Sequence, residues 1–379
     1  MTVIGEDFAV SPFMTRIFLL LLFLIPLLCA AEPVSGFRRA VPGYQFSFPR
    51  DHGSHPDFRT EWWYFTGNVL AKDGREFGYE LTIFRNAMGT PGQDASIFSP
   101  LLAKQVFLGH FAISDIAAKK HQSWERIGRE GFGQASASTE KLDVKLGDWQ
   151  VVMQDDGRIA VKAAKADHAL DLVLTPAKPF VMHGKDGVHQ KSEKVGQASH
   201  YISFTRLDTA GTITVGGEPI TVEGLSWMDQ EFGSDQLGGE EVGWDWFALQ
   251  LDTGEDLMVY QLRRADGTVN RFSSGSLVDA KGQRTELPGD TYTIRSTGKW
   301  KSPHSKAEYP MGWVISVPGK EGELVITPRF EDQEMLTVRY TGTVYWEGAI
   351  AVSGTWRGKP VAGKGYVELV GYAGRMDRL

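Results

Sequence analysis

The sequence predicts an all-β chain built as two tandem antiparallel barrels, and three observations predict it. The first is a repeated hairpin. DHGSHPDFRTEWWYFTGNVLAKDGREFGYELTIFR, residues 51–85, sets Glu61-Trp62-Trp63-Tyr64-Phe65 ahead of a turn at Asp73-Gly74. GWDWFALQLDTGEDLMVYQLRR, residues 243–264, sets Trp244-Asp245-Trp246-Phe247 ahead of a turn at Thr253-Gly254. A Gly between two alternating runs marks a hairpin, because the reversal needs positive φ. Both copies close on an arginine, Arg85 and Arg263, so the pair reads as an internal duplication. The second is spacing: turn signals recur every roughly 8–12 residues, and no amphipathic pattern of helix length intervenes. The third is composition: 43 Gly and 11% aromatic residues suit short strands joined by tight turns.

In chain order, residues 1–31 predict a secretory signal peptide. Arg16 supplies positive charge, Ile17 to Leu28 form an apolar core too short to span a bilayer, and Met14 is a plausible true start. Cleavage after Ala31 places Cys29 and Ala31 at the small-residue positions. A lipoprotein acylated at Cys29 and an uncleaved anchor are the alternatives. Cys29 is the only cysteine, so the mature chain would hold no disulfide framework and no thiol nucleophile.

Residues 32–57 read as an extended N-terminal arm. Its pair His52 and His55 lacks a third ligand at suitable spacing, and no metal is expected. The first barrel is expected over 58–232. In KQVFLGHFAISD, Phe107, Phe111 and Ile113 share one strand parity and His110 the other. If the phenylalanines fill an outer core, His110 points into the barrel; otherwise it is a core histidine held by a backbone carbonyl. Asp155-Asp156-Gly157 turns between two further strands. Residues 176–198 carry no long apolar run and are expected to form a mobile flap near a barrel mouth. TITVGGEPITVEGLSWMDQEFG closes the first unit and is echoed by AIAVSGTW, residues 349–356. The boundary therefore falls near 232–240, with the second barrel over 240–379.

A formal net charge of -7 argues against a nucleic-acid partner. No Gly-Xaa-Ser-Xaa-Gly elbow, phosphate loop, HExxH or dinucleotide fingerprint is present. What calls for explanation is a set of acids beside aromatics: Glu61, Asp229, Glu231 and Asp245. Desolvation against aromatic walls raises a carboxyl pKa. A neutral acid there can protonate an alkene, and aromatic faces can stabilise the cation that results. The structural alternative is that each acid pairs with an arginine, with Arg59, Arg85, Arg206 and Arg263 as candidates.

HPDFRTEWWYFTGNV, GHFAISD, SWMDQEFG, GWDWFALQL and GYVELVGY, in that order over residues 45 to about 375, closely resemble the AttH/CrtC-like family. The resemblance implies two lipocalin-like barrels. It also implies the chemistry of the carotenoid 1,2-hydratases, although other members are known only as predicted secreted hydrolases and fungal relatives are pericyclases. By this resemblance Asp229 in WMD and Asp245 in WDW both fall at family motif positions for the acid; with Asp229 favoured as the general acid, Glu231 or Asp245 would place water. Glu61 joins the catalytic candidates through its place in the acid set beside the aromatics. Trp62, Tyr64, His110, Tyr201, Trp227 and Trp244 would line the substrate cavity. No cofactor is implied. The expected ligand is a lipophilic, isoprenoid- or lipid-like small molecule, the expected location the periplasm or envelope, and the expected partner an envelope ABC transporter. Two function classes stay open: a cofactor-free hydratase, and a non-catalytic carrier of a lipophilic ligand. In either, the second barrel could serve only to support the first.

Overall fold

The computed structural model describes residues 36–89 and 104–374, so the signal-peptide reading lies outside the described residues. The described residues belong to one compact unit, and they contain no α-helix. The first sheet opens with β1 (Thr60–Ala71), β2 (Glu76–Ala87), β3 (Gln105–Asp115) and β4 (Lys120–Arg129). Short strands follow: β5 (Ala135–Ala137), β6 (Asp143–Leu146), β7 (Trp149–Met153), β8 (Ile159–Lys165), β9 (His168–Pro176), β10 (Val181–Met182) and β11 (Val188–Gln190). Two long strands, β12 (Ala198–Val215) and β13 (Glu218–Gly233), complete it. The second sheet comprises β14 (Glu241–Leu251), β15 (Asp256–Arg264), β16 (Ser274–Val278), β17 (Arg284–Pro288), β18 (Thr293–Lys301), β19 (Glu308–Val317), β20 (Gly322–Pro328), β21 (Glu334–Thr337), β22 (Thr343–Trp356) and β23 (Lys359–Leu369).

Both sheets are antiparallel, and the duplication is visible in their order. The first runs β4-β3-β2-β1-β13-β12-β9-β8-β7-β6-β5, the second β17-β16-β15-β14-β23-β22-β20-β19-β18. In each, the opening hairpin pairs with the last strand of its own unit, which curls the sheet toward closure. The first sheet nearly closes where Glu130 and Gly131, just after β4, bridge to Ala135 on β5. Gly74, at φ +88°, makes the β1–β2 turn that the sequence predicts.

Alternation along the strands divides the residues. Trp63 and Phe65 on β1, Tyr79, Leu81 and Ile83 on β2, and Phe107, Phe111 and Ile113 on β3 fill the first interior with Leu146, Trp149 and others. The fill is tight: a Cβ on Gly109 would stand 2.7 Å from Leu146 and 2.9 Å from Trp149. Phe247, Leu249, Trp313, Trp346 and Val367 fill the second interior in the same way. The opposite faces of β1, β2, β3, β12 and β13 pack on the opposite faces of β14, β15, β21, β22 and β23, burying Tyr64, Tyr201, Trp227, Trp246, Tyr260 and Tyr366 between the sheets. Polar contacts tie this face together. Asn68 Nδ2 donates to the Gly365 carbonyl at 3.0 Å, and Gln250 Nε2 donates to the Thr205 and Ser226 carbonyls at 2.8 and 3.0 Å.

Two sequence expectations change here. The phenylalanines of β3 fill the barrel interior, so His110 points away from it, toward the second sheet, where its Nδ1 lies 2.8 Å from the Tyr345 hydroxyl rather than against a backbone carbonyl. Residues 176–198 are not a flap over a mouth. β10 and β11 pair with β12, and His183 bridges Ser203 on β12 and Ser276 on β16 at 2.7 and 2.8 Å. The segment is short of apolar residues because it docks on the second sheet through hydrogen bonds.

Candidate functional site

Because strand neighbours point to opposite faces, the four acids singled out by sequence part into two groups. Glu61 shares the barrel-interior face with Trp63, and Asp245 shares it with Phe247. Glu61 accepts from the His55 backbone amide at 2.8 Å, Arg85 Nε at 3.1 Å and Gln230 Nε2 at 3.1 Å, while the His55 ring lies 2.7 Å away. Burial opposes its charge, but His55 and Arg85 outweigh that and hold its carboxyl below the ordinary range. Asp245 accepts from Gln261 Nε2 at 2.7 Å and Arg263 Nε at 3.0 Å. Each is an acid–arginine pair on the interior face of the opening strand of its own sheet. His52 packs among the rings of Phe48, Phe180 and Phe204, and His55 bonds Asp51 as well as Glu61.

The second group lies between the sheets. On β13, Trp227, Asp229 and Glu231 stand opposite Thr66, Tyr64 and Trp62 of β1. Asp229 is buried, and its carboxyl receives the hydroxyls of Tyr201 and Ser203 and the Trp227 indole N–H, the last at 2.6 Å. Burial is the dominant influence and pushes it up to about 7, despite three donors that favour its charge. Tyr201 also accepts from the Trp246 indole at 3.2 Å, which links both sheets to this acid. Glu231 meets the Lys191 ammonium and the Ser199 hydroxyl, and Lys191 lies 5.5 Å over the Trp62 ring.

Three further acids enter from positions that the sequence reading did not single out. Glu368 on β23 accepts the Trp244 indole N–H at 2.7 Å; burial first, then Glu231 and Asp229, push its carboxyl up to about 7. Glu347 on β22 accepts the Tyr64 hydroxyl at 2.6 Å, its Oε2 has no partner, and burial holds it well above the ordinary range. Glu80 on β2 meets Thr82, its Oε2 also has no partner, and burial pushes it up to about 8. Each had a readable signal: a single acid among the aromatics of GYELTIF, VYWEGAIAV or GYVELVGY.

The candidate site is therefore a set of carboxyls between two sheets, walled by Trp62, Tyr64, Tyr201, Trp227, Trp244 and Trp246. Burial pushes Asp229, Glu368, Glu347 and Glu80 toward the neutral form, while Glu231 is paired with Lys191. All six residues expected to line a cavity, His110 with five of these, face this interface rather than a barrel interior. Deeper in, the faces nearly meet: a void of about 10 Å³ beside Asn68, Trp227, Gln250 and Tyr366 has room for roughly one water. Trp62 and Trp244 are only partly buried, so solvent reaches the site from their side.

The AttH-like family model matches residues 39–372. The crystal structure of an AttH protein of Nitrosomonas europaea is similar at TM-score 0.79 and 36% identity, over 89% of this chain and 100% of that one. Kievitone hydratase of Nectria haematococca shares the fold at TM-score 0.65 and 16% identity, over 90% and 97% of the two chains. In sequence, the chain is 24% identical over 294 residues to kievitone hydratase of Fusarium solani subsp. phaseoli, 74% of this chain and 79% of that protein. It is 22% identical over 270 residues to a dehydratase of Emericella nidulans, 68% of this chain and 75% of that protein.

Proposed function

Because the chain belongs to the AttH-like family, we propose that it is a hydro-lyase that adds water across, or removes it to form, a carbon–carbon double bond in a lipophilic substrate held between the two sheets. The observation that carries this reading is Asp229: a buried carboxyl pushed up to about 7, surrounded by aromatic faces and backed by a second acid, Glu368, of similar poise. The names of the curated relatives, a hydratase and a dehydratase, support the same reaction class.

In the hydration direction, neutral Asp229 gives its proton to one alkene carbon, directly from Oδ2 or by way of the Tyr201 hydroxyl. The neighbouring carbon becomes cationic and is stabilised by the faces of Trp62, Tyr64 and Trp246. A water oxygen bonds to that carbon, and Glu368 or Glu231 takes the proton that the water loses. Return of that proton to Asp229 closes the cycle, and dehydration is the reverse. Two groups titrating close to the working pH suit this exchange, since each is available in both forms. Asp245 lies on the other face of β14, held by Arg263, and takes no part in this scheme. An envelope location and a transporter partner belong to the same proposal, on the strength of residues 14–31 and the family resemblance.

The test is incubation with prenyl and straight-chain alkenols in oxygen-18 water, read by mass spectrometry. Wild type is expected to form an alcohol carrying the heavy oxygen, and Asp229→Asn to lose about 10²–10⁴ of that rate, the usual worth of a general acid. Equal rates in both proteins overturn the assignment of Asp229. A lipid that binds both proteins and emerges unchanged from both overturns the hydro-lyase and leaves a carrier.

A further inference from the structure

The register of the first sheet places four apolar side chains in one line across it. Trp62 pairs with Phe84, Phe84 with Leu108, and Leu108 with Ile127. Directly paired residues share a face, and this is the face that carries Tyr64 and His110 toward the second sheet. The Trp62 and Phe84 rings are 6.4 Å apart. The neighbouring line on that face, Tyr64, Thr82, His110 and Glu125, is roofed by the second sheet. Tyr64 bonds Glu347, His110 bonds Tyr345, and Glu125 accepts the amides of Arg339 and Tyr340 at 2.6 and 2.8 Å. The Trp62 line lies one step beyond that roof. Its first three members are partly buried, and Ile127 at its far end is 45% exposed. On the other side the line on β1 to β3 turns more polar, with Thr60, Asn86 and Val106. The result is a shelf with an apolar floor that starts beside Glu231 and Lys191 and runs to solvent along the rim of the second sheet.

We infer that the shelf holds the tail of the substrate, and that the substrate is therefore an amphiphile with an aliphatic chain about as long as the shelf, its reacting double bond placed at the acids. The inference rests on the proposed hydro-lyase site and specifies what that site accepts. A hydratase acting on a compact polycyclic alkene would need no apolar line leaving the acids. Three inter-strand steps of about 4.8 Å give a floor about 14 Å long, which suits a chain of roughly a dozen carbons. Trp62 is the junction, in contact with the acids through the Lys191 ammonium over its ring and with the shelf through Phe84.

The experiment is titration calorimetry of the whole protein with straight-chain alken-1-ols of about six to sixteen carbons, beside Ile127→Asp and Leu108→Gln. Affinity is expected to rise roughly fourfold per added carbon while the shelf fills and to level off near a dozen carbons. Ile127→Asp changes an exposed position, so the fold tolerates it. It is expected to weaken the longest alcohols at least tenfold and leave the shortest within twofold; Leu108→Gln should bring the plateau to a shorter chain. Affinity independent of chain length, or long-chain binding unchanged in Ile127→Asp, overturns the inference. The oxygen-18 assay keeps the two readings apart. Hydration that persists without any chain-length preference sinks the shelf and spares the hydro-lyase. A chain-length plateau that shifts in the variants while no alcohol is hydrated sinks the hydro-lyase and spares the shelf.

Discussion

Two acids that look alike in sequence, Glu61 and Asp229, end in opposite chemical states because of what surrounds them. Glu61 is met by two cationic groups, His55 and Arg85, whereas Asp229 is met only by neutral donors. A charge buried with partners stays a charge, and one buried among hydroxyls and an indole tends to keep its proton. Glu61→Gln would leave the fully buried Arg85 guanidinium facing an amide. It is expected to cost about 3–5 kcal/mol in urea denaturation, the usual price of an unpaired buried charge. A loss within the range of ordinary surface substitutions would show that Glu61 does not hold the barrel end. Sequence alone made the difference between the two acids hard to see. The period of two along β1 and β13 was legible, and with it the fact that Glu61 and Trp62 face opposite ways. Which face meets a second sheet was not, because both faces of β1 are aromatic, with Trp63 and Phe65 on one and Trp62 and Tyr64 on the other.

At the level of elements, the duplicated hairpin was the strongest signal in the sequence, and the structure returns it as the same four-strand arrangement in both sheets, β2-β1-β13-β12 and β15-β14-β23-β22. The polarity of segment 176–198 reads as mobility in the sequence, yet several of its polar side chains have fixed partners, some of them on the second sheet. Lys178 is the clearest case: its ammonium sits 2.6 Å from Asp256 at the start of β15, and the same carboxylate accepts from Arg206 of β12 at 2.7 Å and Thr205 at 2.9 Å. Asp256 thus fastens the segment and β12 to β15. Replacing it by Asn leaves two cations around a neutral group, and a loss of about 3–5 kcal/mol is expected by chemical denaturation. An unchanged midpoint would mean that the hydrogen bonds of His183 and Gln250 are enough to dock the sheets.

For the whole molecule, two sheets with filled interiors leave the candidate site between them, and neither sheet supplies it alone. Asp229, Glu231 and Glu80 come from the first sheet, Glu347 and Glu368 from the second. The two halves of the acid set are more than 100 residues apart in the chain, so no single stretch of sequence shows the set together. The central claim, a carboxylic acid kept neutral between the sheets, can be tested without knowing the substrate. The measurement is a titration of aspartate side-chain carboxyls by carbon-13 NMR, with Asp229→Asn to assign the signal. Asp229 has its folded pKa raised from 3.8 to about 7. Its protonated form therefore supports folding fully below about pH 4, and that support is lost as pH rises through about 7. The account predicts one carboxyl midpoint near 7, absent in Asp229→Asn. It also predicts that the stability difference between the two proteins shifts against the wild type between about pH 4 and 7 and is flat below. An Asp229 signal that titrates near 4, with a pH-independent stability difference, would contradict the account at its centre.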